Sequence, residues 1–134
     1  LNPTDPNPGE ESSWYAVKML FECFITGRPD ASKIDDDYTE DKTYEESIYL
    51  IHANSLETAY EKAEQEARSY EMSYQNVYRQ DVEWKFVRFL DAFHLFDQEP
   101  ADLTEVYSRH ISAPKRTKTE EFVRKMFPET EKQD

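Results

Sequence analysis

Glycine is scarce in this chain: only Gly9 and Gly27 occur among 134 residues. A P-loop and a dinucleotide-binding turn each need several glycines close together, because backbone must approach phosphate with no Cβ in the way. Both are excluded. Cysteine is scarcer still, with Cys23 as the one thiol. No disulfide can close within the chain, no Cys-x-x-Cys pair exists, and a reducing compartment suits such a composition. Also lacking is any apolar run near the roughly 18 residues that span a bilayer. No charged-then-apolar signal pattern opens the chain. A cytoplasmic location is therefore expected.

Positive charge is the other shortage. Sixteen Lys and Arg stand against 29 Asp and Glu, a net charge of −13. Phosphate contacts need basic side chains, so direct nucleic-acid binding is disfavoured, as is an anionic membrane surface. A basic protein partner fits, with electrostatic steering of the encounter. The plain alternative is that acidity keeps a small protein soluble.

Aromatic residues are plentiful: 8 Phe, 9 Tyr and 2 Trp. Each buries a large area, which makes a compact core feasible in a chain of one-domain length. Residues 1–13, with three prolines, read as an extended or disordered arm. Residues 14–127 read as a single α+β domain, and 128–134 as a polar tail.

Trp14 to Ile25 alternates at period two, with Tyr15, Val17, Met19, Phe21 and Cys23 on one face. Such a pattern predicts a strand with one buried and one half-wet face. Thr26 to Lys42 is a loop broken at Gly27 and Pro29. Its acidic cluster does not fit an EF-hand, which needs alternating ligands, a central glycine and a terminal Glu. Tyr44 to Ala53 is a second strand. Asn54 or Ser55 then caps a helix, with Glu57 placed for a capping box on Asn54. Leu56, Ala59, Tyr60, Ala63, Ala67 and Tyr70 form its apolar stripe. Lys62–Glu66 and Glu64–Arg68 are spaced for ion pairs on its outer surface.

Tyr74 to Asp97 reads as a turn and then a long strand, apolar on both faces from Phe86 onward. A bulge is expected near Asp91 to Phe93. Glu105 to Ile111 reads as a shorter fourth strand. Thr119 can cap a final helix bearing Phe122, Val123, Met126 and Phe127, and Pro128 ends it. The expected order is β-β-α-β-β-α: an antiparallel sheet of about four strands with helices packed on one face.

Chemistry-bearing patterns are thin. His52, His94 and His110 fall on separate predicted strands, without H-x-H or HExxH spacing. Cys23 sits in an apolar alternation, where a thiol behaves as a small hydrophobe. No G-x-S-x-G elbow is present. Glu83, Asp91, Asp97 and Glu105 are carboxylates held by predicted strands or strand ends, and acid–base work would need their pKa values shifted. Trp84 to Phe89 interleaves bases with aromatics but lacks the glycine of an RNA-binding sheet. No cofactor or metal is expected, and the balance leans away from an enzyme.

The leading expectation is a non-catalytic, acidic protein-interaction domain. In its concrete form it is a bacterial or phage inhibitor or immunity-type protein that engages a basic, nucleic-acid-acting partner. Its candidate contacts are Asp35, Asp36, Asp37, Glu40 and Asp41 in the loop, with Glu57, Glu61 and Glu64 on the helix. A second expectation is a small ligand-binding domain or enzyme, with a pocket gathering His52, His94, Glu105, Arg109 and His110. A third is an accessory or dimerising subunit that buries the aromatics of the long strand or the last helix against a partner or a second copy.

Three stretches together resemble a bacterial family, domain of unknown function family 4288. They are Trp14-Tyr15-Ala16, then Leu50-Ile51-His52-Ala53-Asn54-Ser55-Leu56-Glu57 with the alanine-rich helix, and Glu105-Val106-Tyr107-Ser108-Arg109. The resemblance covers roughly Trp14 to Ile111 and implies a compact α+β domain. It transfers no catalytic residue. That family favours a glycine in the turn before the long strand, whereas this chain reads Val77-Tyr78-Arg79-Gln80-Asp81.

Overall fold

A computed structural model of the chain describes residues 11–132. Two long strands come first, β1 (Ser13–Thr26) and β2 (Thr43–Ala53), then helix α1 (Leu56–Ser69). A short strand β3 (Met72–Gln75), a long strand β4 (Asp81–His94) and helix α2 (Thr119–Met126) follow. The four strands form one antiparallel sheet in the order β2-β1-β4-β3, so β1 and β4 are central.

The alternation of β1 decides the two faces. Tyr15, Val17, Met19, Phe21 and Cys23 are all buried on one side. Val17 and Met19 are fully covered, and burial of a side chain of that kind stabilises by roughly 1.5–3 kcal/mol. Their cover is α1, which presents Ala59, Ala63 and Ala67, all fully buried. Alanine at every fourth position lets the helix lie close to the strands. The ends of the expected stripe, Leu56 and Tyr70, stay exposed.

Helix α1 starts at Ser55, whose hydroxyl accepts from Thr58 N at 3.1 Å. The cap is thus Ser55 with Thr58. Arg68 reaches Glu64 at 3.7 Å as the spacing suggests. Lys62 instead donates to the His52 carbonyl at 2.8 Å, tying the helix to the end of β2.

Strand β4 carries two bulges, one beside the expected position near Asp91 and one earlier. Against β1 the register runs Phe21↔Phe86, Leu20↔Arg88, Met19↔Phe89 and Lys18↔Asp91. Val87 and Leu90 are therefore the extra residues. Inward positions change from every second residue (Val82, Trp84, Phe86) to every third (Phe89, Ala92), and these last four reach the core. A strand apolar on both faces in sequence is here a strand twice re-aimed.

Two other expectations are corrected. Glu105 to Ile111 is not a strand: no sheet pairing or regular structure occurs between Leu95 and Lys118. This segment is an extended strap laid over the outer sheet face. The strand that completes the sheet is β3, short and exposed, and its last two residues, Tyr74 and Gln75, fall where the sequence predicts a turn. Nor do both helices pack on one face. Helix α2 approaches neither α1 nor any strand. Its cap position is Lys118, without a side-chain hydrogen bond, and Thr119 is the first helical residue.

The turn before β4 dispenses with glycine at a strained position. Arg79 adopts φ 62°, left-handed backbone that glycine enters without Cβ strain. Asn76 secures the turn: its side-chain oxygen accepts from Tyr78 N at 3.0 Å and Gln80 N at 2.9 Å.

Candidate functional site

The acidic loop between β1 and β2 is built upon this turn. Asp30 N donates to the Tyr78 carbonyl at 2.8 Å. The Asp30 carboxylate caps a 3-10 turn, Ala31–Lys33, accepting from Ser32 N at 3.0 Å and Ser32 Oγ at 2.7 Å. Those bonds hold its carboxyl below the usual range. Further along, Asp35 accepts the Tyr78 hydroxyl at 2.6 Å and Asp37 N at 3.1 Å. The Tyr78 phenol is pushed up to about 12, first by that hydrogen bond. Tyr38 meets the Tyr78 ring edge-on at 5.0 Å. Gln80, a buried amide, donates to the Gly27 carbonyl at 3.0 Å.

The carboxylates of the loop thus divide by task. Asp30 and Asp35 hold its shape. Asp36, Asp37, Glu40 and Asp41 are exposed, and none has a side-chain hydrogen bond or ion pair among the described residues. Beside them lies a cleft of about 450 Å³. Phe24, Ile25 and Tyr38 give it apolar walls, and Glu40, Asp41 and Lys42 stand at its edge. Cys23 also lines it; the thiol is buried, which pushes its pKa up and leaves it protonated.

The helix carboxylates do not join this cluster. Helix α1 follows the end of β2, whereas the loop precedes its beginning, and the strand between has 11 residues. At roughly 3.4 Å per residue, Glu57 is more than 30 Å along the sheet from the loop. Glu57, Glu61 and Glu64 are exposed along one side of α1, and Glu64 is engaged by Arg68.

The histidines part company. His52 stacks on Trp14 at 4.7 Å and His94 on Tyr15 at 4.8 Å. Trp14 and Tyr15 are neighbours on one strand, so the two imidazoles lie on opposite faces of the sheet. Glu105, Arg109 and His110 are exposed on the strap. Among the described residues, no three His, Cys, Asp or Glu side chains gather to hold a metal ion.

Sequence reading overlooked a polar cluster that fixes the strap. The Tyr107 hydroxyl donates to Asp91 Oδ2 at 2.6 Å, and Lys18 Nζ sits 5.4 Å from the Tyr107 ring centre. Lys18 also pairs with Glu46 at 3.0 Å. The hydrogen bond from Tyr107 lowers the Asp91 pKa, with smaller help from Ala92 N, Lys18 and Arg109. Burial, followed by the same bond, pushes the Tyr107 phenol up to about 12. Here Arg109 contributes as a nearby positive charge. Tyr107 lay within a recognisable motif, but its partner 16 positions upstream could not be read from it.

These features define a class: an α+β domain with a four-stranded antiparallel sheet, one face under a helix and part of the other under a strap. The chain belongs to the domain of unknown function family DUF4288, whose sequence model matches residues 14–108. The match spans β1 from Trp14, the other three strands, α1 and the strap as far as Ser108. No curated protein and no solved structure gave a significant match to the chain.

Proposed function

We propose that this domain is a non-catalytic protein-binding module that docks a basic partner at the β1–β2 loop. The supporting observation is the division of labour among its carboxylates. Asp30 and Asp35 brace the loop from within, which leaves Asp36, Asp37, Glu40 and Asp41 presented on a preformed surface. A preformed surface binds with less ordering cost than a slack one. The neighbouring cleft has apolar walls that suit the long stem of a partner's arginine or lysine, and Glu40 and Asp41 line it beside Arg28 and Lys42. The partner class is a basic, nucleic-acid-acting protein whose phosphate-binding face the loop would occupy, as an inhibitor or immunity-type protein in a bacterial or phage setting does. The glutamates of α1 form a separate, second acidic surface.

The test compares two baits against source-cell lysate, at low and moderate salt, read by mass spectrometry. One is the native chain. The other carries Asp36→Asn, Asp37→Asn, Glu40→Gln and Asp41→Asn, with Asp35 kept because Tyr78 depends on it. A basic protein held by the native bait should bind the altered one about tenfold more weakly, as four rim charges each contribute a fraction of a kcal/mol. Its retention should also fall with salt. Equal retention by both baits at both salt levels would sink the proposal.

A further inference from the structure

The outer face of the sheet is half covered. The strap lies over β1 and β4, where Tyr107 meets Asp91, Lys18 and Phe93. The β2 half stays bare, with Ile48 and Leu50 at 45% and 43% exposure in one row. Glu46 continues that row, paired with Lys18 yet with its side chain 60% exposed.

The same chain carries an element that matches this surface. Helix α2 places Phe122, Val123 and Met126 on one side, yet it approaches no strand of its own sheet and not α1. A turn closed by Thr117 N on the Pro114 carbonyl precedes it. Charge separates this arm from everything before it. Residues 113–127 hold five of the 16 basic side chains and two of the 29 acidic ones, a net +3, while the rest of the chain carries −16. Two copies of the body repel each other; the arm is attracted to either.

We infer that α2 is an exchange arm, which docks on the bare β2 half of the sheet in a second copy of this chain. Its apolar side covers Ile48 and Leu50, and its basic residues face the acidic body around Glu46. Reciprocal exchange gives a closed two-fold dimer, each copy supplying one helix and one face. The arm lies beyond the family-matched residues 14–108. It does not depend on the acidic loop.

The experiment is sedimentation equilibrium of the full chain over roughly 5–200 μM, a range that resolves micromolar association. The expected mass is that of two chains. Phe122→Asp with Met126→Asp should weaken dimerisation at least about tenfold, as should Ile48→Glu with Leu50→Glu. An equimolar mixture of these two variants should associate more tightly than either alone, since one intact helix meets one intact face. Lys115→Glu, Arg116→Glu and Lys118→Glu lie in the turn and at the cap position before α2, where Lys118 caps through its backbone and not its side chain; they too should weaken the dimer at low salt. A one-chain mass for the native protein throughout would overturn the inference. So would a dimer that survives the helix, face or charge variants, or a mixture no tighter than its components.

Discussion

At the residue scale, two tyrosines fasten irregular backbone to the sheet domain, each through a carboxylate. Tyr78 holds the acidic loop by way of Asp35, and Tyr107 holds the strap by way of Asp91. Both phenols are raised to about 12. A phenol whose pKa is higher in the folded chain favours folding while it stays protonated. Its contribution is complete below the unfolded value of about 10 and is lost as pH rises toward 12. Asp91 works with the opposite sign. Its lowered pKa contributes above the unfolded value near 4 and is lost as pH falls through the folded one. Urea unfolding across pH should therefore show stability declining at both extremes. Tyr107→Phe should flatten part of each decline and cost about 1–3 kcal/mol at neutral pH, because Asp91 loses its donor. A flat difference between the variant and the native chain across pH would contradict this linkage. The carboxylate at 91 stood out in the sequence as one held by a strand, but nothing in the sequence named Tyr107 as its partner.

At the element scale, periodicity identified the long elements and misread the short ones. β1, β2 and α1 were legible because each buries one face against the core, so the chemistry of alternate or every fourth residue is constrained. Glu105 to Ile111 is held to the sheet through Tyr107 and is otherwise largely exposed, and strand-like residue types do not say whether a neighbour supplies hydrogen bonds. β3 gave no pattern because all four of its residues are exposed. The two bulges of β4 were blurred into a two-faced apolar run. At the start of α1, Ser55→Ala should cost about 1 kcal/mol, since the first-turn amide of Thr58 loses its acceptor. Chemical denaturation of this variant tests the assignment, and an unchanged midpoint would reverse it.

At the scale of the whole molecule, a short chain carries a net charge of −13. Folding draws these charges together, and self-repulsion then opposes the compact state. Raising NaCl from about 20 to 300 mM shortens the screening length from about 20 Å to about 6 Å. The melting temperature should rise by about 3 °C or more, consistent with a gain near 1 kcal/mol. A melting temperature unchanged or lowered by salt would mean that local ion pairs outweigh the repulsion. The same field bears on both surfaces proposed above. It draws a basic partner to the loop, and it disfavours self-association by any route other than the basic arm.

The sequence by itself determined the class of the fold, the buried face of β1, the alanine seam of α1 and the overall acidity. Each follows from residue type and spacing along the chain, and none of the four changes with distant contacts. Only the tertiary structure decided which carboxylates brace the loop and which face solvent, that His52 and His94 lie on opposite faces, and that α2 stands clear of its own sheet. Those outcomes depend on pairings between residues tens of positions apart, such as Asp35 with Tyr78. Register, bulges and turn geometry fix such pairings, and a linear pattern carries no record of them.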